Sequence, residues 1–222
     1  MNNIYLLITE LLINILALII ICKKEKVIGI YLYSIILFIL SNLMSLKTIT
    51  IYNFNLNLGI ISFVSIFIAS NILVQKKGYE ETKRYILLVI ASSIISYIFL
   101  YFISLMESSN INLFTNKSFD NIFEKSARIY FANIVTMLYM LILNNKLYSY
   151  LKQAKNKILI SNLFSGIIIQ FLASIIFLVV AYSFTTKPLD IIRMIIIRYM
   201  ISLIIIIIGT IPIYIINKFK IE

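Results

Sequence analysis

An all-α, polytopic membrane bundle of seven transmembrane helices is the fold class that this 222-residue chain predicts, on three observations. Hydrophobic residues make up 61% of it and charged residues 13%, far from the balance of a water-soluble domain. The apolar residues come in runs of about 20, the length that crosses a bilayer as a helix and too long and uniform for barrel strands. Lysine and arginine collect between alternate runs, the pattern of a chain that re-crosses a membrane.

The predicted spans are Ile4 to Cys22, Val27 to Leu46, Leu58 to Val74, Tyr85 to Met106, Ala127 to Leu143, Leu163 to Phe184 and Ile191 to Ile216. The first has no basic stretch before it and no small-x-small cleavage pattern after it, so it is read as a helix rather than a signal peptide. Its Glu10 and Asn14 fall on one helical face, where polar groups at that depth turn to a bundle interior. Between the fourth and fifth spans, Phe119, Ile122 and Phe123 follow helical spacing beside Asp120, Glu124 and Lys125. That segment is either a short interfacial amphipathic helix or a packed loop. In the last span, Gly209 and Pro212 mark either a kink or the final turn.

The net charge of +11 follows the membrane topology and does not signal nucleic-acid binding. Lys23, Lys24 and Lys26 follow the first span; Lys76, Lys77, Lys83 and Arg84 the third; Lys146, Lys152, Lys155 and Lys157 the fifth; Lys218 and Lys220 the seventh. The other connections hold essentially Lys47, Lys117, Lys125 and Lys187. The positive-inside rule then puts the N-terminus outside the plasma membrane and the C-terminus in the cytoplasm. An AT-rich genome would account for the amount of lysine but not for its alternation.

The composition also narrows the chemistry. A lone cysteine, Cys22, allows no internal disulfide, and the absence of histidine removes the commonest metal ligand and proton shuttle. Neither a metal nor another cofactor is expected. No nucleophile has a base beside it and no Gly-rich phosphate loop occurs, so an enzyme is not expected. What remains is a set of polar side chains at membrane depth. Asn71 and Gln75 lie four residues apart on one face of the third span, and Asn42, Asn133, Gln170 and Ser174 sit in the second, fifth and sixth. They either line one cavity for a small, polar, planar ligand or hydrogen-bond between helices. Arg128 opens the fifth span, while Arg193 and Arg198 lie in the last; arginines at helix ends also snorkel to headgroups. Arg198 is the deepest, and Glu10 is the only carboxylate well inside a span, so the two are expected to pair.

The run SNLMSLKTITIYNFNLNLGIISFVSIFIASNILVQKKGYEETKRYI, Ser41 to Ile86, resembles the signature of the vitamin uptake transporter family, also called the queuosine precursor transporters. That signature has a helix ending in Asn-x4-Lys, a Leu-Gly start to the next, an Asp-Ile-Leu-x-Glu-x-x-Gly exit and a basic helix start. Its counterparts are Asn42 with Lys47, Leu58-Gly59, Asn71-Ile72-Leu73 with Gln75 and Gly78, and Lys83-Arg84. The stretches FDNIFEKSARIYFANI, Phe119 to Ile134, and NLFSGIIIQFLASIIFLVVAYSF, Asn162 to Phe184, are similar to later family segments.

The resemblance implies a six-helix importer core at residues 27–222, preceded by the extra helix of longer members at residues 1–26. It also implies a 7-deazaguanine queuosine precursor as substrate. Neither Arg193 nor Arg198 is matched to a family position. The family pattern has carboxylates where this chain has Asn71, Gln75, Asn144 and Ala173. An amide keeps the acid's shape, presents one donor and one acceptor, and cannot titrate. The substrate site expected from all this is Asn42, Lys47, Asn71, Gln75, Arg128, Asn133, Gln170 and Ser174. Its partners are a small 7-deazapurine-like molecule and membrane lipid, with a homo-oligomer allowed. Two other readings stay open: the substrate-binding subunit of an energy-coupled vitamin importer, and a non-transporting structural or regulatory membrane protein. The first would need a small-residue packing face, for which the first helix offers only Ala17.

Overall fold

The computed structural model describes residues 3–51, 54–107, 111, 113–155 and 158–218, without the side chains of 113, 114, 124, 125, 154 and 155. Lys157 and Lys220, counted above among the basic residues, lie outside them. In chain order the elements are α1 (Asn3–Met44), β1 (Thr48–Ile51), β2 (Phe54–Asn57), α2 (Ile60–Lys77), α3 (Glu81–Ser104), α4 (Leu113–Lys155), α5 (Ile158–Tyr182) and α6 (Pro188–Asn217). Six of these helices are long and apolar enough to cross a membrane.

The first two predicted spans fall in one element. α1 is interrupted at Lys26, whose φ of 54° and ψ of −129° are non-helical, and it folds back there. The Tyr33 hydroxyl donates to the Asn14 carbonyl at 3.1 Å, although 19 residues of straight helix would hold them about 28 Å apart. The legs close so tightly at Gly29 that a Cβ there would lie 2.7 Å from the Ile21 carbonyl oxygen.

Around this hairpin of helices the bundle closes. α1 packs on α3, α3 on α4, α4 on α5, α5 on α6 and α6 on α1, while α2 touches α1, α3, α4 and α6 from inside. Every residue from Ile60 to Val74 is buried, whereas the outer helices turn side chains such as Leu87, Phe99, Ile168, Phe171 and Ile207 outward to lipid. A helix enclosed by protein does not need a greasy surface, so α2 can carry Ser62, Ser65, Ser70 and Asn71 in succession.

Three points that the sequence reading missed or left open are settled by the structure. β1 and β2 form an antiparallel hairpin with Thr48 opposite Asn57 and Ile51 opposite Phe54. TITI and FNLN alternate with period two, the strand signal, which is lost to a reading tuned to 20-residue apolar runs. Next, α4 is far longer than Ala127 to Leu143. Its first turns include Phe119, Ile122 and Phe123, so that segment is neither a separate interfacial helix nor a loop. Its C-terminal turns continue past Leu143 because Asn144, Asn145 and Tyr148 are buried against neighbours, which hydropathy does not register. Lastly, Pro212 lies buried within α6, which continues to Asn217.

The ends of the bundle differ in charge. Lys76 Nζ donates to the Asn217 carbonyl at 2.9 Å, Lys152 Nζ to the Gln75 carbonyl at 3.2 Å and the Tyr31 hydroxyl to Glu81 Oε1 at 2.8 Å. These contacts bring the reversal of α1, the α2–α3 turn and the C-termini of α4 and α6 to one end, where Lys23, Lys24, Lys77, Lys83, Arg84 and Lys218 are exposed.

Candidate substrate-binding site

Four asparagines from three helices meet toward the basic end. Asn71 on α2 donates to Asn162 Oδ1 on α5 at 2.7 Å. Its own Oδ1 accepts from Asn144 Nδ2 on α4 at 2.7 Å. Asn145 Oδ1 accepts from Asn144 at 3.3 Å and from the Ser70 hydroxyl at 2.5 Å. All five residues are fully buried. About one turn further along α2, Gln75 Oε1 accepts from the Tyr148 hydroxyl at 3.5 Å, and Lys152 caps the helix carbonyl already described.

This network is incomplete. Among the described residues Asn144 Oδ1, Asn145 Nδ2 and Asn162 Nδ2 have no hydrogen-bond partner, and a buried amide group left so costs about 1–3 kcal/mol. The constellation therefore presents two free amide NH2 groups and one free amide oxygen, all neutral.

The eight residues expected from sequence do not form one pocket. Asn71 and Gln75 belong to this cluster. Gln170 lies eight residues beyond Asn162 on α5, about 12 Å along the axis; its Nε2 faces Met140 Sδ at 3.5 Å, and Ser174 donates back to its carbonyl at 2.8 Å. Asn42 donates to Ser93 Oγ at 2.6 Å where α1 meets α3. Asn133 is buried with neither amide atom partnered, as are the Tyr130 and Thr136 hydroxyls of the same helix. Arg128 and Lys47 are exposed. Arg128 stands 5.7 Å from the Phe184 ring centroid, and Lys47 lines a 140 Å³ cleft with Asn3, Glu10 and Ile49. Sequence reasoning missed Ser70, Asn145 and Asn162 as members of this cluster. Their signal was there: Asn162 shares the buried α5 face of Gly166, Ile169, Gln170 and Ala173, but that face becomes legible only once α2 and α4 are docked on it.

The expected pair of Arg198 and Glu10 is corrected by the structure. Glu10 accepts from the Ser62 hydroxyl at 3.3 Å, whereas Arg198 donates to Asn57 Oδ1 at 2.6 Å, because the β hairpin puts Asn57 in its reach. Arg193 makes an exposed ion pair with Asp190 at 3.4 Å, of the kind that contributes little.

A family model described as "Putative vitamin uptake transporter" matches residues 57–216, from the end of β2 through almost all of α6. The match covers more than half of the chain. It starts after Asn42 and Lys47, so that part of the resemblance precedes it. No curated protein and no solved structure matches the chain.

Proposed function

The chain belongs to the vitamin uptake transporter family, and on that premise we propose that it imports a small, polar, planar molecule, with a 7-deazaguanine queuosine precursor or a related base as substrate. It lies in the plasma membrane. α1 crosses twice and each other helix once, giving seven crossings, with the basic end cytoplasmic and the N-terminus outside. Residues 27–222 form the transporter core and residues 1–26 an added helix.

The observation that supports this reading is the incomplete asparagine network. A guanine-like base offers a carbonyl acceptor beside N–H donors on one edge. One free amide donor and the free amide acceptor match the carbonyl and one N–H of that edge, and the second free amide donor suits a further ring-nitrogen acceptor of the base. Because the cluster is neutral, it selects by shape and hydrogen bonding and takes up no proton with its cargo. Asn71 orients the flanking amides, and Asn144, Asn145 and Asn162 provide the contacts.

The test is uptake of a labelled 7-deazaguanine base by precursor-auxotrophic cells expressing the protein. Wild-type chain is expected to restore uptake, and Asn144→Ala to lower it about tenfold, the equivalent of 1.4 kcal/mol. If wild-type cells take up no such base, the structural or regulatory reading moves ahead.

A further inference from the structure

Arg198 stands apart from the amide network and poses a different chemical problem. It is 3% exposed, ten residues into α6 and so about 15 Å from its start. Its Cζ lies 4.2 Å from the Phe177 ring centroid and 5.6 Å from that of Phe63. A guanidinium carries five N–H donors, and among the described residues its side-chain hydrogen bond is to Asn57.

No carboxylate balances this charge among the described residues. Glu10 is held by Ser62, while Glu80 and Asp190 pair with Lys83 and Arg193 at the surface. Aromatic faces contribute about 2 kcal/mol to a desolvated cation, against several kcal/mol for taking an ion out of water. Fastening the β hairpin does not require this charge, since a neutral donor would hold Asn57 without the desolvation of an ion. An ionisable residue at membrane depth whose charge no carboxylate balances is a functional-site candidate.

We propose that Arg198 anchors the carboxylate of a small aromatic acid. The carboxylate accepts two parallel N–H bonds from the free guanidinium edge, and the ring of the acid packs against Phe63 and Phe177. This site is distinct from the asparagine constellation. The side chain of Ile68 on α2 lies against Gly209 of α6, eleven residues and about 16 Å past Arg198. Asn71 is a further turn along α2, away from Arg198. A small ligand cannot reach both.

The experiment uses the full-length protein in detergent with sodium benzoate as probe. Melting is followed by a thiol-reactive dye that reports exposure of the buried Cys22. Benzoate at about 10 mM is expected to raise Tm by about 3 °C over the same concentration of sodium chloride, and neutral benzamide to leave it unchanged. R198Q should abolish the shift, while R193Q, altered at an exposed ion pair, should retain it. A shift with benzamide equal to that with benzoate, a shift that survives R198Q, or none in wild type would overturn the proposal. If R198Q gives no cooperative melt, R198K decides, because lysine keeps the charge and loses the planar fork. It should need about tenfold more benzoate for the same shift, and an equal response would refute the anchor. No step depends on 7-deazaguanine uptake, so failure here and failure of the importer reading are separate results.

Discussion

Single residues set how closely these helices approach. At Gly166 a Cβ would lie 2.7 Å from Ile206 Cδ1, and at Gly209 it would collide with the side chain of Ile68. Both glycines therefore hold α6 against its neighbours. Gly209→Val is expected to destabilise the protein by about 1–3 kcal/mol through overpacking, and Ile68→Ala in the same chain should recover part of the loss. Melting by Cys22 exposure measures both, and a single variant that melts like wild type would refute the contact. Asn133 points the other way, since neither of its amide atoms has a partner. Replacing an unpartnered buried amide by an apolar group of similar size is neutral or stabilising. Asn133→Leu should therefore keep or raise Tm, and a marked fall would show that the amide is satisfied in the membrane.

At the scale of elements, the reversal of α1 and the start of α2 are the strained joints. Lys26 holds a φ of 54°, which a side chain adopts at a cost of about 1–3 kcal/mol. Lys26→Gly should then stabilise the chain, by about 1 kcal/mol once the extra freedom of an unfolded glycine is subtracted. An unchanged or lower Tm would mean that the lysine is not strained there. At Gly59, which caps α2 with a φ of 90°, a Cβ would meet the Ser41 carbonyl oxygen at 2.5 Å. No such relief is available there, and Gly59→Ala should destabilise. α4 shows how an element outgrows its hydropathy. Forty-three residues make about 65 Å of helix, twice the hydrocarbon thickness, and the turns beyond Leu143 carry two of the four clustered asparagines.

For the whole molecule, the proposed orientation in the membrane rests on the asymmetry of charge. In intact cells, Lys187→Cys is expected to react with a membrane-impermeant maleimide and Lys24→Cys only after permeabilisation. Both positions are exposed, and the native Cys22 is buried and silent. The opposite pattern would invert the topology and make the asparagine cluster face outward.

By itself the sequence determined that the chain is a predominantly helical membrane bundle, roughly where its helices run and how its basic residues alternate. Those properties follow from summed transfer energies along the chain, which need no partner. It also determined that Asn71 is polar at membrane depth. Only the tertiary structure decided that Asn71 meets Asn144 and Asn162 rather than Gln170, and that Arg198 reaches Asn57 rather than Glu10. Hydrogen bonds at 2.6–2.7 Å depend on the depth and rotation at which helices dock, and residues 73 to 141 positions apart carry no local trace of that geometry. The β hairpin makes the same point: its period-two pattern was written in ten residues, but that it would fold against α6 and supply Asn57 to a buried cation was settled by packing alone.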